Sequence, residues 1–508
     1  MGLWYAPRSP WNLGYNGGTS ERIPQLDGLR GVAIAMVIVF HYVNAAVVAG
    51  APRLMDMLIR PVSLGWTGVD LFFVLSGFLI GGILLDARES PNYFRVFYRR
   101  RVCRIFPLYY AFLAVAFLAV HFTRSPLSGF CQPAIPWKAC AIFCQNFWMA
   151  IHNDMGAVMN PTWSLAVEEQ FYLTLPVIIY FVRPRRLIWI VTGGIVLAPL
   201  IRLTIFLAKP GVTTAIQVLL PCRMDTLLFG VALAYFLRQP GAWEFVCAHS
   251  RHLWTAIELL TVACALFLIR GSSTDPLTML LGYDCFGLLY ACVLAASLVD
   301  KRLAGVLQAK WLMGLGSIAY CVYLIHLLVF GLVLALMKSH PDSGPIAAFS
   351  ALVLTIVIAR ISWRWFEKPF LKLGHKERYG PSTSFQPYRV AVATYAVDVV
   401  GQEELSGNLT AQDFELNGFD GRAEVRQVTT GRGKKRNSFS ALVITGEWPE
   451  EDQQVLLANN PERKESDEGE EIDNPAHDVV KKALKKWNDA WKKVQKKTAG
   501  AEESGDEV

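Results

Sequence analysis

The sequence lacks the motifs of the common soluble enzyme classes. It has no P-loop and no dinucleotide-binding glycine fingerprint, so the usual nucleotide sites are excluded. No GxSxG segment supports a Ser-His-Asp hydrolase. The ten cysteines include no CxxC pair, which argues against zinc and thioredoxin-like sites, and no metal-ligand cluster is visible. The chemistry of this chain must therefore come from another arrangement of side chains.

Two further absences concern targeting and disulfides. Residues 1–24 contain no apolar segment of the signal-peptide type, so we expect a polar segment leading into a first spanning helix. Most cysteines lie inside apolar runs as packing residues. Cys131, Cys140 and Cys144 share one connection, which permits a single disulfide there if that connection faces an oxidising compartment.

Apolar residues dominate the chain. They make up 53% of its 508 residues, and the mean hydropathy is +0.32. Soluble proteins rarely reach this value. Ten runs have spanning length. They cover approximately residues 29–49, 63–85, 105–122, 161–182, 187–207, 216–237, 253–270, 277–298, 312–337 and 345–366. The sequence predicts an all-α polytopic membrane protein with about ten transmembrane helices.

The basic residues predict the orientation of these helices. The net charge of +7 comes largely from arginines between apolar runs, so we read it as a topology signal and expect no nucleic-acid partner. Clusters at 95–104 and 183–186 occupy even-numbered connections, whereas odd-numbered ones carry scattered charges. We therefore expect a plasma (inner) membrane protein with both termini cytoplasmic. The long connection 123–160 would be a structured external lid or re-entrant segment.

The composition changes abruptly after about Gly374. The predicted organisation is a cytoplasmic N-terminal segment (1–24), a membrane domain (25–370), a linker (371–385), a small soluble β-rich domain (386–460), and an acidic, disordered linker with an amphipathic helix (461–508). Turn signals occur at Asn417-Gly418 and Asp420-Gly421. The basic amphipathic helix would contact the inner leaflet or a cytoplasmic partner, and the sequence leaves both open.

The most informative stretch is QLDGLRGVAIAMVIVFH, residues 25–41. Arg30 and His41 are eleven residues apart, so a helix places them near one azimuth with a rise of roughly 16 Å. Arg30 would then lie at the cytoplasmic interface and His41 near mid-membrane. Ionisable groups at such depth usually mark function. For His41 we consider a general base, a transient acyl carrier, or a structural histidine bonded between helices.

Several stretches, in order, resemble the acyltransferase-3 family of integral membrane acyltransferases. Besides LDGLRGVAIAMVIVFH they are GVDLFFVLSGFLIGG, RRRVCRIFPLYY, NPTWSLAVEEQFYL, CRMDTLLFG, SIAYCVYLIH and WRWFEKP. The resemblance covers residues 25–370. Family members often carry an external SGNH-type esterase-like domain, but no GDS-like nucleophile block follows here.

The resemblance implies roles for particular residues. Catalytic candidates are His41, Arg30, Glu168 and Glu169, with Glu168 or Glu169 pairing with Arg30 or Arg223 or tuning His41. Only one of these adjacent glutamates is expected to face a polar interior. The donor-binding candidates are Arg100, Arg101 and Arg104, which would hold the phosphates of coenzyme A, although arginines there also serve as topology anchors. The supporting polar candidates are Arg223, Asp225, Ser76, Trp163, Tyr323, His326 and Glu367.

The function implied by the resemblance is transfer of an acyl group, most often acetyl, to a hydroxyl of a lipid-linked or surface carbohydrate such as an O-antigen or exopolysaccharide. Acyl-CoA would be the donor substrate, with no tightly bound cofactor and no metal. Alternatives are the same chemistry on a small molecule, a lipid or peptidoglycan. A proton-coupled transporter that uses Arg30, His41 and a glutamate is the rival from another class.

Overall fold

We describe a computed structural model of the chain. It describes residues 23–47, 60–122, 135–239, 241–270, 275–337, 344–377, 379, 420–430 and 437–447. The chain divides into two compact units, Met1–Ser382 and Thr383–Val508, which are considered separately.

The first unit is built of helices in its described part. In chain order they are α1 (Pro24–Val47), α2 (Gly68–Asp86), α3 (Tyr93–Phe122), α4 (Trp137–Ala141), α5 (Gln145–His152), α6 (Thr162–Phe181), α7 (Pro184–Ala208), α8 (Thr213–Val218), α9 (Leu220–Phe236), α10 (Ala242–Ala248), α11 (Ser250–Arg270), α12 (Tyr283–Val299), α13 (Lys301–Leu307), α14 (Lys310–Leu336), α15 (Gly344–Ser362) and α16 (Lys368–His375). Short 3-10 turns lie at Arg60–Thr67 and Ala157–Met159, and π-helical turns at Thr278–Gly282 and Trp363–Glu367.

Eight helical segments in the described ranges are long and apolar enough to cross a membrane. They coincide with eight of the ten predicted spans, so the all-α membrane class is confirmed. The remaining two predicted spans are also helices, α6 and α11, but neither is among the segments that reach this length and hydropathy in the described ranges. In α6 the adjacent Glu168 and Glu169 lower the mean hydropathy.

Glycines bring two pairs of central helices into backbone contact. A Cβ on Gly77 of α2 would lie 1.9 Å from the carbonyl oxygen of Leu227 on α9. A Cβ on Gly316 of α14 would lie 1.9 Å from the carbonyl oxygen of Asp27 on α1. Small residues permit such close approach in membranes, where helix association depends on packing rather than on burial from water. The α1–α14 and α2–α9 pairs are therefore fixed at short distance.

The described part of the long connection, residues 135–160, is ordered by hydrogen bonds to the helices around it. The Tyr109 hydroxyl donates to the carbonyl of Cys140 at 2.8 Å, and the Gln145 amide donates to the carbonyl of Thr162 at 2.8 Å. Cys140 and Cys144 are free thiols, and Cys131 lies outside the described residues. Burial raises the pKa of Cys140 to about 12. The segment is thus structured, as predicted, and Cys140 and Cys144 are not joined.

The described part of the second unit is a hairpin. Strands β1 (Asp420–Thr430) and β2 (Asn437–Glu447) pair antiparallel, from Asp420 opposite Glu447 to Thr430 opposite Asn437. The turn predicted at Asp420-Gly421 is wrong, because both residues pair with β2. The first part of the predicted β-rich domain (386–419), which includes the turn at Asn417-Gly418, lies outside the described residues, as do the acidic segment and the amphipathic helix.

Candidate active site

His41 lies on α1 and contacts a second histidine, His326 of α14. Its Nδ1 is 2.9 Å from the carbonyl oxygen of Val37 and 3.3 Å from Nε2 of His326. The two ring centroids are 4.9 Å apart. His41 is half-buried and His326 is fully buried. The histidine predicted from the sequence therefore belongs to a pair.

The partners of His41 fix which of its nitrogens carries the proton. A carbonyl oxygen only accepts hydrogen bonds, so the Nδ1 that faces Val37 is the protonated nitrogen of the neutral ring. Nε2 is then a bare lone pair. Among the described residues, it has no hydrogen-bond partner. His41 thus presents an available base at Nε2.

Arg30 does not contact His41, although both lie on α1. Its guanidinium pairs with Asp27 one turn earlier, at 2.5 Å. Its other close electrostatic neighbours are two arginines of α3, Arg101 and Arg104. The rise of roughly 16 Å along the helix places Arg30 too far from His41 for direct contact.

Arg101 and Arg104 lie together on α3, as their spacing predicted. Within the described residues, neither forms an ion pair. The guanidinium carbon of Arg101 lies 6.0 Å from the ring centroid of Phe97 and 5.9 Å from that of Tyr172, and its Nε is buried without a partner. Together with Arg30, these side chains form a group of three neighbouring cations, which we call the arginine triad.

Three other arginines of α3 contact a glutamate that follows α16 instead. Glu377, just after α16, accepts from Arg95 at 2.8 Å and from Arg99 at 2.9 Å. Arg100 donates to the backbone carbonyl of Glu377 at 3.0 Å and covers the ring of Tyr379 at 5.0 Å. Arg100 was predicted to bind donor, but the structure commits it to this contact. No local sequence pattern indicates this contact, because the partners are about 280 residues apart.

Both glutamates of α6 face the arginine triad. Glu168 hydrogen-bonds Tyr172 and Ser76 and lies in the field of Arg101 and Arg104. Glu169 interacts with Glu168 and Arg101, and its Oε1 is buried without a partner. Both glutamates therefore lie in the electrostatic field of Arg101, but only Glu168 forms side-chain hydrogen bonds there. Neither pairs with Arg30 or Arg223, which take Asp27 and Asp70 instead.

A family model described as an acyltransferase domain matches residues 23–364. The chain belongs to the acyltransferase-3 family. This confirms the family expected from the seven sequence stretches, and the match contains His41, the arginine triad and both glutamates.

Curated relatives of this acyltransferase-3 chain are O-acetyltransferases by name. The peptidoglycan O-acetyltransferase OatA of Listeria monocytogenes is 27% identical over 69% of this chain and 56% of its own length. The O-acetyltransferase OatA of Staphylococcus aureus (strain NCTC 8325) is 28% identical over 70% of this chain and 58% of its own. A putative O-acetyltransferase of Staphylococcus aureus (strain COL) is 26% identical over 78% of this chain and 67% of its own length. The chain thus spans little more than half of the first two. No solved structure is significantly similar to it.

The acyltransferase-3 domain also contains a buried network of charges. Arg223 pairs with Asp70, and its guanidinium lies 3.6 Å from the ring centroid of Tyr283. Trp163 borders the same guanidinium at 5.8 Å. These contacts agree with the structural role expected for Arg223. Asp70 is the partner that the sequence analysis did not identify.

A second buried arginine, Arg202 of α7, was not singled out from the sequence at all. It donates to Asp225 at 2.6 Å and also pairs with Asp284 of α12. Arg202 and Asp225 are completely buried. A count of uncompensated charges in the apolar runs would have found it, since Asp225 at membrane depth requires a cation.

The remaining supporting residues extend from the histidine pair to the triad. The hydroxyls of Tyr323 and Ser164 are 2.5 Å apart, one turn from His326. Ser76 bonds the Tyr172 hydroxyl at 2.5 Å, rather than serving only in close packing. Glu367, in a π-helical turn, accepts a hydrogen bond from the Ser362 hydroxyl at 3.1 Å and lies in the electrostatic field of Arg104. No group of metal-ligating residues occurs in the described ranges.

Proposed function

We propose that this protein is a membrane O-acyltransferase that moves an acyl group, in the first instance acetyl, from acyl-CoA to a hydroxyl of a cell-surface carbohydrate. The observation that carries the proposal is the half-buried His41, whose Nδ1 is protonated and whose Nε2 is left free. A neutral imidazole with one available lone pair is the ordinary general base for a hydroxyl group.

The proposed transfer requires one base and one acid. Nε2 of His41 accepts the proton of the acceptor hydroxyl as its oxygen attacks the thioester carbonyl. The new C–O bond forms, the C–S bond breaks, and the proton on Nε2 passes to the departing thiolate. The products are an ester and free coenzyme A. If His41 instead carries the acyl group, Nε2 is still the nitrogen that reacts.

The arginine triad supports a donor that carries phosphate groups. Arg30, Arg101 and Arg104 are close enough to repel one another, and only Arg30 has an ion-pair partner among the described residues. An anion bound there would relieve that repulsion. Arginine binds phosphate through two parallel N–H groups. Since the triad lies at the Arg30 end of α1, the donor would approach from the side that the basic residues assign to the cytoplasm.

The acceptor is proposed to be a carbohydrate hydroxyl on the opposite side. The name of the Listeria relative specifies peptidoglycan, so peptidoglycan sugars are the first acceptors to test, before O-antigen or exopolysaccharide sugars. The depth of His41, roughly 16 Å from Arg30, suits a donor and an acceptor that arrive from opposite faces of the bilayer.

The decisive experiment measures transfer of labelled acetyl from acetyl-CoA into alkali-labile glycan ester, in membranes that contain the wild-type or His41→Ala protein at equal amounts. We expect ester in the wild type and none in the variant. His249→Ala is the matched control, because His249 makes the same Nδ1 contact at 2.9 Å to the carbonyl four residues earlier, yet is exposed.

Two results would contradict the proposal. If the wild type forms no ester with any of several acyl-CoA donors but carries protons with a solute, the transporter alternative is correct. If ester formation survives in His41→Ala, His41 is not the base.

A further inference from the structure

The hydrogen bond that His326 makes through Nδ1 leaves its Nε2 as a hydrogen-bond acceptor for His41. Its Nδ1 lies 2.6 Å from the backbone carbonyl of Tyr323, so Nδ1 carries the ring proton and Nε2 is a bare acceptor. That Nε2 faces the protonated Nδ1 of His41 at 3.3 Å. The two backbone carbonyls, of Tyr323 and Val37, therefore select a single arrangement of protons for two neutral rings.

A hydrogen bond to the backbone of His326 also helps to fix its position. The Tyr42 hydroxyl donates to the carbonyl of His326 at 2.9 Å and is 3.0 Å from the hydroxyl of Thr355. The ring of His326 is fully buried, so water does not compete for its Nε2. This acceptor is thus held in place by contacts that do not involve its own Nε2.

We propose that His326 is a positioning residue of the acyl transfer, which holds the His41 ring with Nε2 toward the substrates and stabilises the charge that forms on it. The inference rests on the proposed function of His41 as the base. When Nε2 of His41 takes the hydroxyl proton, its ring becomes a cation. The Nδ1–H of His41, shared between the carbonyl of Val37 at 2.9 Å and Nε2 of His326 at 3.3 Å, then makes charge-assisted hydrogen bonds, which are about twice as strong as neutral ones. The contact therefore strengthens during the reaction rather than on substrate binding.

This timing predicts an effect on kcat and not on KM. An interaction that strengthens only as the transition state forms lowers kcat when it is removed. Binding of the donor is assigned to the arginine triad, which His326 does not contact. We expect loss of the His326 acceptor to lower kcat by about tenfold or more, with the KM for acetyl-CoA within about twofold of wild type.

Two amide substitutions separate positioning from structure. In His326→Gln the amide oxygen replaces Nε2, and so keeps the acceptor for His41. In His326→Asn the shorter amide replaces Nδ1, and so keeps the bond to the carbonyl of Tyr323 but loses the acceptor. The two variants are both polar and both smaller than histidine. We expect His326→Gln to retain kcat within about threefold and His326→Asn to fall by about tenfold or more.

The control is Tyr93→Phe, which removes a buried hydrogen bond to the backbone carbonyl of Pro176 that involves neither histidine. It should lower the thermal stability while kcat stays near wild type. Equal kcat for His326→Asn and His326→Gln, or a kcat loss in Tyr93→Phe as large as that in His326→Asn, would overturn the inference. Because His41→Ala is assayed in parallel, an active His41→Ala refutes the proposed function itself, whereas an inactive His41→Ala with a fully active His326→Asn refutes only the role of His326.

Discussion

Replacing Arg101 or Arg104 with alanine is expected to weaken the binding of acetyl-CoA without impairing transfer from a donor that has no phosphate. Both arginines face the triad, and neither has an ion-pair partner in the described part of the chain, so little of the protein depends on their charge. The phosphates of the donor would be their principal anionic partner. A phosphate-free acetyl thioester, such as acetyl-pantetheine, retains the reacting group but lacks that partner.

The size of the effect follows from the contacts of Arg101. A hydrogen bond to a charged group contributes about 1.5–3 kcal/mol, which corresponds to roughly a 10- to 150-fold change in affinity. Glu168 lies near both arginines and already offsets part of their charge. We therefore expect the lower part of this range, a rise in KM of about 10- to 30-fold for each single substitution.

The assay compares the KM for acetyl-CoA with the KM for acetyl-pantetheine in the wild type, Arg101→Ala and Arg104→Ala. The ratio of the two should approach one in both variants, with kcat for acetyl-pantetheine preserved. Arg185→Ala is the control, since Arg185 is an exposed arginine at the start of α7. Equal losses with both donors would refute the reasoning and show that these arginines support the helices rather than the phosphates.

Four further outcomes are expected. Arg202→Met should lower the free energy of unfolding by about 3–5 kcal/mol in a detergent melt, because the fully buried carboxylate of Asp225 loses its cation. Gly77→Ala should lower the melting temperature, whereas Gly193→Ala should not, because a Cβ on Gly193 meets nothing within 4 Å. Cys140, with its pKa raised to about 12, should react with maleimide at pH 8 roughly a thousandfold more slowly than an ordinary thiol, as followed by mass spectrometry. Deletion of residues 383–508 should leave acetyl transfer unchanged.

Each of these has a contradicting result. A Gly77→Ala protein that melts at the wild-type temperature would mean that α2 and α9 can separate slightly at that point. An Arg202→Met protein as stable as wild type would mean that Asp225 is protonated or hydrated. Rapid labelling of Cys140 would mean that the segment around it opens readily. Loss of transfer on deletion of the tail would make the second unit part of the enzyme or a docking site for a partner that it requires.

Features that depend on local sequence were predicted well. The spacing of Arg30 and His41 on one helix, the RxxR pair of Arg101 and Arg104, and eight of the spans follow from helical periodicity and hydropathy alone. Each of these patterns is contained within a few turns of a single helix. A single sequence is sufficient to read them.

The partners of these residues were mostly not predictable. His326 as the neighbour of His41, Asp70 as the partner of Arg223, and Glu377 as the partner of Arg99 each depend on which helices pack side by side. That choice is made by surface complementarity between elements far apart in the chain, which periodicity does not describe. The sequence did indicate that these polar groups needed partners, but it did not indicate which ones.

The contact between α1 and α14 has a consequence for how the protein admits its substrates. The two helices touch backbone to backbone at Gly316 and Asp27 near one end, and Tyr42 bonds the His326 carbonyl near the other. Two helices joined at two separated points are expected to move together. We therefore expect the spacing between His41 and His326 to be preserved if the domain opens to admit substrates, with the motion confined to the helices around this pair.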